Sequence, residues 1–157
     1  MMGKVLDLKH VPEWEHALKA NPKNAEVIAK LGAAYALKGD ETGAIRMAAR
    51  AQELDPKNHG DKFTDLYNAV GDIFQNGNKP KEAIPYFTRA ADTGKDPSKV
   101  AYALISMGYC HLMTNEPAKA LEMARKGEAL KGTSQSDKDM IASLRRSAER
   151  MMQPKKP

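Results

Sequence analysis

Three stretches of the chain carry one spacing of small residues. Gly32, Tyr35, Ala44 and Ala51 form the first, Gly71, Phe74, Ala83 and Ala90 the second, and Gly108, His111, Ala120 and Gly127 the third. In each, the later residues stand 3, 12 and 19 places after the glycine. A spacing kept three times marks one supersecondary unit repeated. A single copy is too small to bury its own apolar face, so the chain is expected to stack as a solenoid rather than close around one centre.

Within the first copy, Ile28, Leu31, Gly32 and Tyr35 follow the three-and-four rhythm of one helix face. Lys38-Gly39-Asp40 interrupts that helix, and Ala44, Ala48 and Ala51 stripe a second one. Glycine and alanine at the crossing let the two axes approach to about 8–9 Å. A larger side chain at Gly32 or Ala44 would push the pair apart, at about 1–3 kcal/mol of overpacking. Asn21-Pro22-Lys23-Asn24 and Asp55-Pro56-Lys57-Asn58 are the same phrase, 34 residues apart. Proline cannot continue a helix and restricts the residue before it, so each phrase ends a helix. Asn24 is placed to cap the next helix, and Asp96-Pro97 reads as an N-cap followed by proline at the first helical position.

This pattern resembles the tetratricopeptide repeat, a helix-turn-helix unit of about 34 residues. Counting from Ala25, the matching residues are Ile28, Leu31, Gly32, Tyr35, Ala44, Ala51 and Pro56. Counting from Thr64, they are Tyr67, Val70, Gly71, Phe74, Ala83, Phe87 and Ala90; from Ala101, they are Leu104, Met107, Gly108, Ala120 and Ala124. His111, Gly127 and Gly132 stand where the family has an aromatic, an alanine and a proline. Successive glycines are 39 and 37 residues apart, and the added residues, near His59-Gly60 and Thr93-Gly94-Lys95, are read as longer loops between repeats. The resemblance implies an all-α fold, a right-handed α-α superhelix in one domain over 1–157. Its repeats lie at 25–58, 64–97 and 101–134. Residues 11–21, with Trp14 and Ala17, fit an N-terminal half-repeat helix. Residues 136–152 read as a C-terminal capping helix with a Ser136/Asp139 capping box and an apolar edge of Met140, Ile141 and Leu144, followed by a tail at 153–157.

Composition removes several function classes. There is no apolar run of about 18 residues, so no membrane span is expected. Met1 to Asp7 lacks the apolar stretch of a signal peptide, which favours a cytoplasmic protein. Cys110 is the one cysteine, which excludes an internal disulfide, and it reads as a buried structural thiol. His10, His16 and His59 have no ligand spacing, and no metal or cofactor is expected. No phosphate loop, zinc motif or nucleophile elbow is present, so no enzyme is expected; Glu13, Glu15 and His16 read as surface charge. The net charge is +5, with Lys138, Arg145, Arg146, Arg150, Lys155 and Lys156 near the C-terminus. These read as a solvated face and a tail. Binding to nucleic acid or another anionic surface is the sharper alternative, and nucleic acid is disfavoured because residues 136–157 contain no aromatic to stack on bases.

In the resembled family the first helices line the concave wall, and its exposed positions name the candidate site. The first repeat places Glu26, Ala29, Ala33, Ala36 and Leu37 there, the second Asp65, Asn68, Asp72, Gln75 and Asn76, and the third Tyr102, Ile105, Tyr109, Leu112 and Met113. The third set makes an apolar patch suited to a peptide or helix of a partner protein, with Asp65, Asn68 and Asp72 beside it to select a basic residue. The alternative is that the 136–152 helix or the superhelical turn covers this set as ordinary core. Family members that clamp acidic chaperone tails carry cations where this chain has Ala29, Ala33, Ala69, Tyr102 and Ser106, so that role is not expected. Self-association through the solenoid ends, with Trp14 as the contact, is the second reading.

Overall fold

The structure, a computed structural model, describes residues 7–155. The signal-peptide reading on residues 1–6 and the charge of Lys156 lie outside them. Eight α-helices follow in order: α1 (Val11–Ala20), α2 (Ala25–Lys38), α3 (Glu41–Leu54), α4 (Thr64–Asn76), α5 (Pro80–Thr93), α6 (Pro97–Met113), α7 (Pro117–Glu128) and α8 (Gln135–Met152). Short 3₁₀ turns occupy Leu8–His10 and His59–Asp61, and no strand occurs among the described residues.

Helices α2/α3, α4/α5 and α6/α7 are hairpins closed by one turn made three times. The residue fourteen places into each repeat is left-handed: Gly39 at φ +79°, Asn78 at +58° and Asn115 at +58°. Glycine and asparagine are the residues that tolerate that region. The next amide reaches back to the aromatic or histidine of the preceding helix: Asp40 to the Tyr35 carbonyl at 2.8 Å, Lys79 to Phe74 at 2.8 Å, Glu116 to His111 at 2.7 Å. These bonds satisfy carbonyls that a helix end leaves without partners. The chain then starts the second helix, capped at Asp40 by its carboxylate on the Gly43 amide at 2.9 Å.

Between repeats, contact runs through the glycines. A methyl at Gly32 or at Gly108 would collide with the isobutyl group of Leu66 on α4 or Leu144 on α8, the next first-type helix in each case. Gly71 is different: the group in its notch is Phe87 of its own hairpin, 2.6 Å from where a Cβ would stand. The two arrangements are volume-matched. Where the second helix offers a small residue (Ala48, Ala124), the following helix supplies a leucine. Where it offers Phe87, the position equivalent to Leu66 is Ala103. All of these side chains are buried.

Two expectations are corrected. The second insertion is not a longer loop, because α6 starts at Pro97, four residues before the repeat start at Ala101, and leaves only residues 94–96 between helices. The cap of α8 lies two residues earlier: Ser134, not Ser136, accepts the Asp137 amide at 3.1 Å, and Asp137 accepts the Ser134 amide at 3.2 Å. The helix accordingly begins at Gln135 rather than at 136. The two Pro-Lys-Asn phrases also part company. Asn24 caps α2 through the Val27 amide at 3.2 Å, whereas Asn58 is left-handed at φ +53° and fully buried. Its Oδ1 accepts the Phe63 amide at 2.8 Å, and its Nδ2 reaches Thr64 Oγ1 at 2.8 Å and Thr93 Oγ1 at 3.2 Å. The first insertion thus folds into a polar knot that joins the connectors. Asp61 extends it by accepting the Lys95 and Asp96 amides at 3.1 and 3.2 Å.

The volume match makes a test. Phe87→Ala should cost about 3–5 kcal/mol by opening a cavity at the Gly71 notch. Adding Ala103→Leu should recover part of that loss, since it recreates the filling used by Leu66 and Leu144. Urea unfolding midpoints read both. A double variant less stable than Phe87→Ala would refute the exchange of volume.

Candidate functional site

Helices α2, α4, α6 and α8 pack in succession, while α3, α5 and α7 pack chiefly against the first-type helices around them. The stack therefore closes on the side of the first-type helices, and α2, α4 and α6 face the inside of the curve.

Along this wall the expected polar stripe of α4 is already in use. Asp65 pairs with Lys99 Nζ at 3.0 Å. Asn68 Nδ2 donates to the Lys99 carbonyl at 3.2 Å, and Gln75 Nε2 to the Ser106 carbonyl at 3.4 Å. The Tyr102 hydroxyl stands 2.8 Å from both Asp72 oxygens. These contacts form a ladder from α4 to α6. Asn68 is buried rather than exposed, and Asp65, although open to water, has its cation within the chain. The ladder went unseen in the sequence because polar residues on an outward helix position carry no mark of an internal partner.

The third set divides. Tyr102 and Met113 are exposed, at 42% and 47%, whereas Tyr109 and Leu112 are half-buried. Ile105 is 4% exposed and belongs to the core, which corrects its place in the patch. The reason is the enclosure of α6, which has α4 on one side, α8 on the other and α5 and α7 behind it. The inner wall of α2 offers half-buried Ala29, Ala33 and Ala36 beside the exposed Leu37.

Asp72 is the electrostatic anomaly of this wall. It is half-buried, and no cation lies within ion-pair distance of it among the described residues. Burial raises its carboxyl above the ordinary range, and the Tyr102 hydrogen bond offsets this only in part. The same neighbourhood pushes the Tyr102 phenol up to about 12, through burial and then the Asp72 hydrogen bond. It pushes the Cys110 thiol up to about 11, through burial and then the Asp72 charge. Cys110 is fully buried, and its thiol stays protonated near neutral pH.

Comparison with known proteins places this geometry. No family model matches the chain. Cellulose synthase operon protein C of Escherichia coli (strain K12) is 32% identical over 108 residues, 63% of this chain and 9% of that protein. Superkiller complex protein 3 of Homo sapiens is 32% identical over 108 residues, 69% of this chain and 6% of that protein. The chain thus spans less than a tenth of the length of these curated relatives. A crystal structure of MamA superposes with a TM-score of 0.67 at 22% identity, covering 96% of this chain and 92% of that one. A second MamA structure gives 0.65 at 23%, covering 90% and 76%. The helical stack of hairpins is the fold shared with those structures. The fold is that of the tetratricopeptide repeat. In this tetratricopeptide-repeat chain the half-repeat helix α1 is tied to α2 by the Tyr35 hydroxyl on Glu15 at 2.9 Å. Trp14 is half-buried between the His10 ring and the Lys30 ammonium, each 5.9 Å from it. Of the C-terminal cations, Arg145 is paired with Glu128 and Glu149 at 2.6 and 2.9 Å. No described helix is long and apolar enough to cross a membrane.

Asp72 gives a stability prediction with a definite sign. Its folded pKa lies above its unfolded value, so ionisation opposes folding. The penalty is absent below the ordinary carboxylate pKa of about 4 and complete once pH exceeds the raised folded value. Asp72→Asn, which keeps an acceptor for Tyr102, should therefore raise the melting temperature at neutral pH. The gain over wild type should shrink as pH falls from the raised folded value toward about 4, and be lost below that. Thermal unfolding by circular dichroism across that range is the measurement, and a lower melting temperature at neutral pH would contradict the reading.

Proposed function

We propose that the chain is a non-enzymatic protein-interaction module whose inner wall receives a peptide or helix of a partner protein. The observation that supports this most strongly is the strip on α6. Tyr102 and Met113 remain open at the α4–α6 ladder, with half-buried Tyr109 and Leu112 between them. An exposed tyrosine offers apolar area with a polar tip, and an exposed methionine adapts its shape to what it meets. Large side chains held open on a rigid concave face are features of an interaction surface. The repeats at 25–58, 64–97 and 101–134 would act as one unit, with α1 and α8 closing its ends. The shared fold and a relative whose name places it in a complex support the same reading.

The test is a peptide selection against the whole chain, followed by hydrogen exchange on the bound form. Selected peptides should slow exchange on α4 and α6. Met113→Ser, which touches no ladder contact, should weaken them while leaving the melting temperature close to wild type, and adding Tyr102→Ser should bring the loss to about tenfold or more. Protection confined to α3, α5 and α7, or no selected peptide at all, would overturn the proposal.

A further inference from the structure

The second helix of each hairpin carries a cation 18 places after the repeat glycine: Arg50, Arg89 and Lys126. Two of them are met within the chain. The Arg89 guanidinium lies over the Tyr67 ring at 5.7 Å, and Lys126 pairs with Glu122, one turn before it, at 3.5 Å. Arg50 has neither. Where the third hairpin has Glu122 the first has Arg46, so α3 sets two like charges one turn apart, an arrangement that weakens a helix. Both arginines are exposed, and neither has an ion-pair partner among the described residues. They border the gap between α3 and the half-repeat helix α1. A recess of about 320 Å³ there is edged by Lys19, Arg46, Arg50 and Tyr35. A second, of about 490 Å³, shares Pro22 and Arg50 with the first and continues it past Lys23 to Leu54. Glu15 and Glu53 also stand on this border. Glu15 accepts the Tyr35 hydroxyl at 2.9 Å, and no cation of the described residues lies within ion-pair distance of either carboxylate. Leu18, Ile28, Leu31 and Met47 are buried beneath, so the apolar groups within reach of an incoming chain are exposed Pro22 and half-buried Tyr35 and Leu54.

We infer that this groove between α1 and α3 receives an acidic segment of a partner protein, with carboxylates held by Arg46 and Arg50 and an apolar side chain set against Pro22 and Leu54. A carboxylate between the two guanidiniums removes the repulsion that α3 otherwise carries, and the planar fork of arginine matches a carboxylate with two N–H bonds. Lys19 and Lys23, with no ion pair of their own among the described residues, raise the border to four cations against two carboxylates. That balance draws in an anionic chain and repels a basic one. The border favours a protein segment over nucleic acid. Its one aromatic is Tyr35, tied to Glu15 by its hydroxyl, and there is no row of rings on which bases would stack. Since α1 and α3 are second-type helices, the groove lies away from the strip on α6. The two surfaces are separate, and this inference does not depend on the inner wall.

Two capped peptides test it on the full chain by nuclear magnetic resonance, one alternating glutamate and leucine, the other with glutamine for every glutamate. The glutamate peptide should shift the side-chain Nε–H signals of Arg46 and Arg50 in a saturable way, and the glutamine peptide should bind about tenfold or more weakly. Arg46→Gln with Arg50→Gln should remove most of that preference without lowering the melting temperature, since both side chains are exposed. Lys81→Gln with Arg125→Gln removes the same charge from exposed positions on α5 and α7 and should leave the preference intact. No preference in wild type, a preference kept without the two arginines, or an equal loss in the Lys81 and Arg125 variant would overturn the assignment. Tighter binding of an oligothymidylate than of the glutamate peptide would also overturn it, in favour of nucleic acid. Shifts confined to α4 and α6 would overturn this inference and leave the inner-wall module standing.

Discussion

Helix axes in this protein come within contact only because Gly32, Gly71 and Gly108 carry no side chain. Each glycine opens a notch at the centre of a first-type helix, and a large side chain from a neighbour fills it. Leu66 and Leu144 come from the next repeat and Phe87 from the same hairpin. Each filled notch sets the separation and register of the helices it joins. Four first-type helices in close succession then produce the curve, and the curve produces the inner wall. The constraint is steric: overpacking in a close-packed interior has no cheap escape.

Much of this was legible before any coordinates. The 3, 12 and 19 spacing marked the three hairpins, Lys38-Gly39-Asp40 marked a turn, and Asp96-Pro97 marked the start of α6. These signals are local, written by residues close in the chain. What fills each notch is not local, so the exchange of Phe87 for a leucine and Ala103 for its counterpart emerged only from the packing. The extra turn of α6 is different: Asp96-Pro97 announced it, and counting the repeat from Ala101 obscured it. Asn24 and Asn58 make the point most sharply, because identical phrases cap a helix in one place and bury a left-handed asparagine in the other. The difference lies in the residues that follow.

The candidate site was legible as a face and misread in its detail. Asp65, Asn68, Asp72 and Gln75 do point to the inner side of α4, yet they serve first to hold α6. Ile105 sits at an outward position of α6 and is buried because α8 stands beside it. What remains open is narrow: Tyr102, Met113, parts of Tyr109 and Leu112, and a carboxylate without a cation. The ladder that braces the wall also holds Tyr102 through its hydroxyl, so on the proposed reading a partner would lose little order in binding there.

The filled notches can be observed directly in solution. A nuclear Overhauser spectrum of the intact chain should show the Leu66 methyls close to the Gly32 α-protons, the Leu144 methyls close to those of Gly108, and the Phe87 ring close to those of Gly71. The account predicts all three contacts in one spectrum. Leucine methyls distant from Gly32 and Gly108, with Phe87 away from Gly71, would contradict the stacking on which the inner wall depends.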